Sequence, residues 1–569
     1  MPTSKAIGSA NLKAAVLLVE TLIEAGIDHF ILSPGSRSTP LALAVARNSR
    51  AQQWVIIDER SAAFFALGQG KRRQQASALI CTSGSAVANW LPAVVEAHHS
   101  ATPLLLLSAD RPAELHQRGA NQTIEQSTLF GQQVRAAFTL PPPDECEDLT
   151  ATMAPILQQV VGALLRPIPG PVHLNLPYRE PLLPDDLTSI DWHPAAIPLM
   201  PQRSLSRRWL RLHEAAEKLS QGPGIILCGE AHYSEHFTQK LETLAAQLDA
   251  PILADPLSNL RWGAPLQSCI VCHYDGTLRT IGNTLKPNWV IQFGDFPLSK
   301  SVALWLNDQA PATYLNIQHQ RLWSDPESLA TETFHCSPET FIDAVMKQLP
   351  TPANYRKWNQ AFHKADQQAL AWSPEYPLSE HQLLQQLHQQ LPAGAVLFSG
   401  NSMAIRDIDG WLGKRAEPLH LYANRGTSGI DGNLATLCGI RSTLDPATPM
   451  VALLGDLTLF HDLNALSLLS ALEGDLLIFV INNGGGGIFS YLPPAALPEF
   501  EPLWLTPLQI NFEQAATLYN IDYQQIDQPF DLQQQLSQPL QQGGIKLIEW
   551  VIDREASVAA HQHYWESLQ

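Results

Sequence analysis

The 569-residue sequence is poor in cysteine, in basic residues and in long apolar runs. Its seven cysteines are too few and too scattered for the disulfide framework of a secreted protein. Because 54 acidic residues outweigh 36 lysines and arginines, the formal charge of −18 disfavours nonspecific binding to nucleic acid or anionic membranes. No run reaches the roughly 20 apolar residues that span a bilayer, and no signal-peptide pattern opens the sequence. We therefore expect a cytoplasmic protein with reduced thiols, no nucleic-acid partner and no membrane insertion.

Familiar cofactor signatures are also absent. The glycines at 484–487 do not complete G-x-G-x-x-G, because Phe489 stands where the last glycine belongs, and no Walker lysine pattern occurs. Cys269 and Cys272, followed by His273, have the spacing of covalent haem attachment, but that chemistry belongs to exported proteins. A zinc site would need a second pair of ligands. These cysteines are therefore interpreted as structural.

The length and the pattern of apolar segments predict three consecutive α/β domains with parallel sheets. We place them at 1–185, 200–350 and 375–569, with a proline-rich linker near 193–202. Helical segments are expected at 11–25 and 86–98, and the glutamine-rich stretch 524–542 also has a helical pattern. Strands are expected at 29–32, 78–81, 104–107, 172–176, 225–228, 252–254, 289–293, 314–317, 396–398, 451–454, 476–481 and 547–551.

One stretch, LLIFVINNGGGGIF at 476–489, points to a ligand site. Its six leading apolar residues are typical of a strand buried on both faces of a parallel sheet. Four consecutive glycines cost chain entropy, which indicates that a phosphate or a metal approaches this backbone at the carboxyl end of the strand. The alternative is a glycine-rich surface loop without a ligand.

A second strand end supplies the matching acid. Asp456 follows an apolar strand and Gly455, and Asn483 stands 27 positions later. The Asp456 carboxylate, the Asn483 amide oxygen and a carbonyl of the glycine run would provide half of an octahedral Mg²⁺ sphere. The glycines would also let main-chain N–H groups approach a diphosphate.

This arrangement resembles the cofactor motif of thiamine diphosphate enzymes, and so does the order of three α/β domains. In that superfamily the first and third domains bind the pyrimidine and diphosphate ends of the cofactor, and a glutamate follows a strand of the first domain. Glu59, after Ile56-Ile57-Asp58 at the end of an expected strand, occupies the equivalent place. The resemblance implies that Glu59 shares a proton with the aminopyrimidine ring and so activates the cofactor. The alternative is a solvated glutamate that caps a helix.

Several further segments narrow the resemblance, although Leu457 replaces the third glycine of many superfamily members. They are SPGSRSTPLA at 33–42, DERSAAFFALG at 58–68, TSGSAVANWLPAVVEA at 82–97, ADRPAEL at 109–115, GANQTIEQ at 119–126, GNSMAIRD at 400–407, NRGTSGIDG at 424–432, GDLTLFHDLN at 455–464 and NNGGGGIFSYLP at 482–493. Together they are similar to the 2-succinyl-5-enolpyruvyl-6-hydroxy-3-cyclohexene-1-carboxylate synthases of menaquinone biosynthesis. The match is strong in the first and third domains and weak in the middle domain.

The resemblance implies decarboxylation of 2-oxoglutarate on thiamine diphosphate and 1,4-addition of the resulting succinyl carbanion to isochorismate. It implies a homodimer or a dimer of dimers, with Mg²⁺ or Mn²⁺ as the metal. Two alternatives remain: an acetolactate-synthase-like decarboxylase or carboligase, and a non-enzymatic scaffold. A monocarboxylate substrate would leave several arginines unpaired, and a scaffold would be expected to lose Glu59, Asp456 or Asn483.

The resemblance also assigns site residues, with Glu59 as the catalytic acid. The metal ligands would be Asp456, Asn483 and Gly485. The cofactor-binding residues would be Ser83, Gly84, Ser402, Met403, Ser428, Ile430, Gly455, Asp456, Leu457, Thr458, Asn483, Gly485, Gly486 and Ile488. The substrate-binding residues would be Ser36, Arg37, Arg111, Asn121, Gln122, Lys300, Ser402, Arg406, Arg425, Phe489 and Leu492.

Two of these positions leave questions open. Some family members have a Lys-Arg pair in the middle domain, whereas Ser301 follows Lys300 here, so any second cation must come from another residue. Ile430 corresponds to the bulky residue that bends the cofactor, but an ordinary core isoleucine is the alternative.

Overall fold

Three six-stranded parallel sheets form the framework of the chain in a computed structural model. The structure describes residues 4–200, 212–263, 269–319, 322–349, 354–374, 376, 378–527 and 544–568. Helices connect most successive strands of each sheet, as βαβ connections between parallel strands require. The prediction of three α/β domains with parallel sheets is confirmed.

The strands are numbered in chain order. They are β1 His29–Leu32, β2 Gln52–Val55, β3 Ser77–Cys81, β4 Leu104–Asp110, β5 Ala136–Thr139, β6 Pro171–Pro177, β7 Gly224–Cys228, β8 Ile252–Ala254, β9 Ile270–Val271, β10 Trp289–Phe293, β11 Thr313–Gln318, β12 Glu332–His335, β13 Ala395–Ser399, β14 Leu419–Ala423, β15 Met450–Gly455, β16 Leu476–Asn482, β17 Asp522–Ile526 and β18 Ile545–Val551. Their spatial orders are β2-β1-β3-β4-β6-β5, β12-β11-β10-β7-β8-β9 and β14-β13-β15-β16-β18-β17. In each sheet the direction of winding reverses beside the first strand, which creates a crevice at the carboxyl ends of the strands.

The α-helices are also numbered in chain order. They are α1 Ser4–Glu24, α2 Thr39–Ala46, α3 Glu59–Arg73, α4 Ser85–Ala88, α5 Leu91–His99, α6 Leu149–Leu165, α7 Leu212–Leu219, α8 Glu235–Leu248, α9 Tyr274–Ile281, α10 Lys300–Gln309, α11 Pro338–Met346, α12 Arg356–Ala371, α13 Glu380–Gln390, α14 Met403–Trp411, α15 Asn433–Arg441, α16 Asp456–His461, α17 Phe512–Leu518 and α18 Arg554–Ser567.

All twelve predicted strands are present, and they are the inner strands of the three sheets. The six edge strands, β2, β5, β9, β12, β14 and β17, are different. Five of them were not predicted, and the strand expected before Glu59 ends at Val55, earlier than Ile56 and Ile57. The helix expected at 86–98 is two helices, α4 and α5, because Pro92 lies in the first turn of the second.

One prediction was wrong in part. The glutamine-rich stretch 524–542 was expected to be helical, but its first residues belong to the edge strand β17, where Tyr523 and Gln524 pair with β18. Pairing with a buried neighbour overrides a helical pattern. The rest of the stretch, from residue 528, lies outside the described residues.

The described chain divides into two compact units. The first contains residues 1–204, 424–444 and 461–472, and the second contains 205–423, 445–460 and 473–569. In the first unit, Ile190 and Ile197 are buried in the same core as α1, so the chain near Ile197 packs against this core. The second unit contains the second and third sheets. The proposed domain limits themselves stay a prediction.

Within the described residues, one helix is long and apolar enough to cross a membrane. Its apolar window lies in Ala6–Glu24, and 67% of that window is buried inside the protein. Leu12, Val16 and Leu22 of this helix are in the core of the first unit. The apolar surface of α1 is therefore used in packing.

Helices α3 and α15 pack unusually closely within the first unit. A Cβ atom added at Gly68 would lie 2.0 Å from the carbonyl oxygen of Thr436, and one at Gly439 would lie 2.0 Å from the carbonyl oxygen of Phe65. Backbone atoms cannot move aside as side chains do. The two glycines therefore allow a helix contact that no other residue permits.

We expect Gly68→Ala to destabilise the first unit by about 1–3 kcal/mol, because the added methyl group overpacks a backbone-to-backbone contact. The melting temperature of the purified protein measures this. Gly410→Ala on α14 is the matched control, since a Cβ there has no atom within 4 Å and alanine favours a helix. Equal melting temperatures for the two variants would contradict the tight-contact interpretation.

Candidate active site

The predicted metal residues lie at the carboxyl edge of the third sheet. Ser402 follows β13, Asp456 follows β15, and Asn483 follows β16. These three strands are neighbours, and the winding reverses between β13 and β15. Parallel strands thus bring together residues that are up to 81 positions apart in sequence.

Asp456 is the buried acid of this edge. Its Oδ1 accepts the N–H of Leu457 at 2.7 Å, and its Oδ2 accepts the N–H of Gly485 at 2.7 Å. Burial raises the pKa of the Asp456 carboxyl to about 6, although these N–H groups act in the opposite direction. A cation at this carboxylate would compensate for the lost hydration.

The glycine run lies close to other backbone segments. A Cβ at Gly485, whose φ is +132°, would lie 2.1 Å from the carbonyl oxygen of Leu505. The N–H groups donate within the protein: Gly484 to Asn482 Oδ1, Gly485 to Asp456, Gly486 to the Leu505 carbonyl, and Gly487 to the Gly485 carbonyl. That main-chain N–H groups of this run approach a diphosphate stays a prediction. The glycines allow the chain to pass against Asp456 and Leu505.

The donor set fits a hard divalent cation. The amide oxygen of Asn483 is buried and has no hydrogen-bond partner among the described residues. A buried amide oxygen without a donor is costly, and a metal ion would satisfy it. No group of three or more His, Cys, Asp or Glu side chains suited to a metal occurs in the described part of the chain. Asp456 and Asn483 thus form the best-supported pair of oxygen ligands.

The other predicted site residues of the second unit range from buried to exposed. Leu457 and Gly455 are half-buried, Thr458 is buried, and Met403 and Ile488 are half-buried. Arg406 is exposed and donates to the Ser402 carbonyl at 2.6 Å, and Lys300 is exposed at the start of α10. Phe489 is half-buried and Leu492 is 46% exposed. The apolar pair therefore presents surface to solvent.

The first sheet has a comparable carboxyl edge. Ser36 and Arg37 follow β1, Ser83 and Gly84 follow β3, and Arg111 follows β4. Glu59 is the first residue of α3, and the helix is capped by the Asp58 carboxylate, which accepts from the N–H groups of Arg60 and Ser61. Glu59 is half-buried, so neither full burial nor full solvation describes it.

Arg37 is a buried cation, and the nearby Arg111 is half-buried. Arg37 donates to the Tyr178 carbonyl at 2.9 Å and to Glu180 at 2.8 Å. The Nη1 atom of Arg111 is buried and has no hydrogen-bond partner within the described residues. Burial lowers the pKa of the Arg111 guanidinium, and the nearby Arg37 charge lowers it further. An anionic ligand would stabilise the charged form of Arg111, because it would offset both the lost hydration and the repulsion by Arg37.

A buried polar network supports this arginine. Gln126 donates to Asn175 Oδ1 at 2.8 Å, and Asn175 donates to Asp110 Oδ2 at 2.8 Å. The other oxygen of Asp110 accepts the Arg111 N–H at 2.7 Å. These supporting residues were not predicted, although Asp110 and Gln126 lie within the segments ADRPAEL and GANQTIEQ.

Three predicted site residues other than glycine have left-handed backbones. They are Gln122, Ser402 and Ser428, with φ values of 55°, 67° and 62°. Gln122 is fixed by reciprocal hydrogen bonds with Ser83, at 2.9 and 3.0 Å. Such backbones cost about 1–3 kcal/mol each and concentrate at functional sites. Asn121, beside Gln122, is exposed.

Arg425, Ser428 and Ile430 belong to the first unit, on the loop between β14 and α15. Ile430 is half-buried, so it is not an ordinary core isoleucine. The predicted site residues thus fall into two groups, one in each unit.

Cys272 and His273, by contrast, are buried, and Asp366 accepts both of their N–H groups at 3.0 and 2.7 Å.

Comparison with known protein families gives three successive matches. The N-terminal thiamine pyrophosphate binding domain matches residues 12–129, the middle domain matches 188–399, and the C-terminal thiamine pyrophosphate binding domain matches 410–550. Relatives named 2-succinyl-5-enolpyruvyl-6-hydroxy-3-cyclohexene-1-carboxylate synthase match almost end to end. The relative from Chloroflexus aurantiacus is 39% identical, with 96% of this chain and 94% of the relative covered. The relative from Geobacillus kaustophilus is 37% identical, with 97% of each chain covered.

The chain belongs to this synthase family. It is therefore a thiamine-diphosphate-dependent enzyme. Solved structures agree on the fold. A thiamin diphosphate-dependent enzyme from Mycobacterium smegmatis, described as putative, has a TM-score of 0.68 at 15% identity, with 94% of this chain and 99% of that chain covered. Benzoylformate decarboxylase from Polynucleobacter necessarius has a TM-score of 0.69 at 15% identity, with 95% and 99% covered.

We expect Asp456→Ala to abolish the Mg²⁺-dependent binding of thiamine diphosphate, because the diphosphate would lose its bridging cation. Isothermal titration calorimetry with and without Mg²⁺ measures this directly. Asp308→Ala, an exposed change in the same unit, is the control. Unchanged affinity in the Asp456 variant would remove Asp456 from the metal site.

Proposed function

We propose that the protein catalyses the thiamine-diphosphate-dependent decarboxylation of 2-oxoglutarate and 1,4-addition of the succinyl unit to isochorismate. The products would be 2-succinyl-5-enolpyruvyl-6-hydroxy-3-cyclohexene-1-carboxylate and CO₂, in the cytoplasm, as a step of menaquinone biosynthesis. The observation that carries this proposal is the near full-length match to relatives named as that synthase.

Residues of the third sheet would hold the diphosphate end of the cofactor through Mg²⁺ or Mn²⁺. The Asn483 amide oxygen, which has no hydrogen-bond partner among the described residues, and the buried Asp456 support this assignment, with the Gly485 carbonyl as a third ligand. When bound, thiamine diphosphate supplies the carbon nucleophile and electron sink needed to remove CO₂ from a 2-oxoacid. The proposed domains at 1–185 and 375–569 would bind its pyrimidine and diphosphate ends.

Glu59 would hold a proton at the pyrimidine ring of the cofactor. Its place at the start of α3 supports this role, since the Asp58 cap fixes the first turn and the glutamate is not fully solvated. A carboxyl group fixed in this way could donate a proton to the ring and accept it back within the same site.

Arg37 and Arg111 would bind substrate carboxylates. The Nη1 atom of Arg111 has no hydrogen-bond partner in the described part of the chain, which supports an anionic ligand at this position. Both proposed substrates carry two carboxylates, so guanidinium donors on a protein of charge −18 must be placed locally. An acetolactate-type substrate carries one carboxylate and would use fewer of these donors, which disfavours that alternative.

Product identification tests the proposal. Purified protein with thiamine diphosphate, Mg²⁺, 2-oxoglutarate and isochorismate should yield a product with the mass of the succinylated cyclohexene carboxylate, together with CO₂. Pyruvate in place of 2-oxoglutarate is the substrate control. Turnover of pyruvate with none of 2-oxoglutarate would favour the acetolactate-type alternative.

In the same assay, Glu59→Gln should reduce turnover by roughly 10²–10⁴-fold while cofactor binding is retained, since glutamine cannot share the proton. Glu147→Gln, an exposed change in the first unit, is the matched control. A Glu59→Gln enzyme with more than half of the wild-type turnover would exclude the proposed role.

We also propose a homodimer, or a dimer of dimers, in which each site takes Glu59 from one chain and Asp456 from another. The apolar side chains beside Glu59 support an interface, because Val55 is 68% exposed and Ile57 is 84% exposed. In a two-fold symmetric interface that contains both sites, the apolar surface of Val55 and Ile57 would be buried on each subunit.

Subunit exchange tests this assembly. Mixing inactive Glu59→Gln with inactive Asp456→Ala should recover about half of the wild-type activity per mixed dimer, because one site then carries both lesions and the other none. Mass spectrometry of labelled subunits verifies the exchange. Proven exchange without recovery, or full activity in an isolated monomer, would show that the sites are not shared.

A further inference from the structure

The loop of residues 424–432 carries Arg425, Ser428 and Ile430 but has no regular secondary structure of its own. Its backbone turns into the left-handed region at Ser428 and again at Gly432, with φ values of 62° and 66°. An irregular loop keeps such a shape only when neighbouring groups bind its backbone. The question is which groups fix it.

Glu96, on α5, binds this backbone directly. Its Oε1 accepts the N–H of Gly426 at 2.9 Å, and its Oε2 accepts the N–H of Thr427 at 2.6 Å. The hydroxyl of Thr427 donates to the same Oε2 at 3.1 Å. A carboxylate that accepts from two successive N–H groups forms strong, directional contacts. Glu96 is only 2% exposed, whereas Gly426 is half-buried and Thr427 is exposed.

Lys71 balances the buried charge of Glu96. Its Nζ lies 3.4 Å from Glu96 Oε1, and the side chains are 6% and 3% exposed. Lys71 stands near the end of α3, the helix that begins at Glu59. Loss of Lys71 would remove the cation that lies beside this buried carboxylate.

The loop also lies too close to α5 for a side chain at position 426. A Cβ at Gly426 would lie 2.6 Å from the carbonyl oxygen of Glu96 and 2.8 Å from the Ser100 nitrogen. At the other end of the loop, a Cβ at Gly432 would lie 2.1 Å from the ring of Phe64 on α3. Both ends are therefore fixed by elements of the first unit.

We propose that Glu96 is a positioning residue, which holds Arg425 and Ile430 in place through the backbone of Gly426 and Thr427. Its contacts in the structure are with the backbone of the loop, the Thr427 hydroxyl and Lys71. The part of the proposal that concerns substrate binding rests on the proposed function, in which Arg425 binds a carboxylate. The anchoring of the loop does not.

Hydrogen exchange of the full-length protein tests the anchor. Glu96→Gln keeps the size of the side chain but replaces one acceptor oxygen by an NH₂ donor and removes the negative charge beside Lys71. In a peptide spanning 424–432, the amides of Gly426 and Thr427 should exchange at least about 10-fold faster, as expected when a charge-assisted hydrogen bond is lost. Glu147→Gln should exchange like the wild type in this peptide.

Kinetics separate positioning from a purely structural role. In folded Glu96→Gln, the KM for the dicarboxylate that Arg425 binds should rise roughly 10–100-fold, because a small displacement of a binding group is costly. The kcat should change much less, since Glu59 is intact. A structural role alone would lower the folded fraction, and hence the apparent kcat, without moving the KM.

A folded Glu96→Gln protein with unchanged exchange or unchanged KM would overturn the proposal. If that variant fails to fold, Thr427→Val tests the anchor instead, because it removes only the hydroxyl contact with Glu96. Exchange of the same peptide should then be about threefold faster. Unchanged exchange in Thr427→Val would then overturn it. If the wild type makes no product, the proposed function fails, and the exchange result alone decides the anchor.

Discussion

Parallel strand direction is the constraint on which the rest of the structure depends. Every strand pair in the three sheets is parallel, so all the strands of a sheet end at one edge. Polar residues that follow different strands therefore meet without any long-range sequence signal. Asp456 and Asn483 come together for this reason, as do the residues after β1, β3 and β4 in the first sheet.

Two buried carboxylates of this structure accept hydrogen bonds from backbone N–H groups. Asp456 accepts from the N–H groups of Leu457 and Gly485, and Glu96 accepts from those of Gly426 and Thr427. Backbone donors are fixed by the fold, so they hold a charge without the entropy cost of ordering long side chains. Glycine is required at Gly426 and Gly485 because these donors come from chain segments that pass very close to other backbone.

The inner strands were predictable from sequence because they are buried on both faces and read as continuous apolar runs. The edge strands were not, since β2, β5 and β12 are largely exposed or half-buried and β9 has only two residues. Glu59 and Asp456 could be proposed as site residues from the sequence, because chain order places them after strands and a resemblance suggests their roles. Glu96 was not found, because its partners are backbone groups more than 300 positions away, and no side-chain pattern records such a contact.

One segment of the chain between two strands of the third sheet belongs to the first unit. The chain leaves β14 at Ala423, residues 424–444 join the first unit, and it returns as β15. A short excursion of this kind needs strong anchors at both ends, because loop closure alone offers none. Glu96 acts near the start, and the contacts of Gly68 and Gly439 between α3 and α15 act near the end. Since α3 also carries Glu59 and Lys71, a change that shifts this helix would reach both the acid at its first residue and the loop that Lys71 and Glu96 hold.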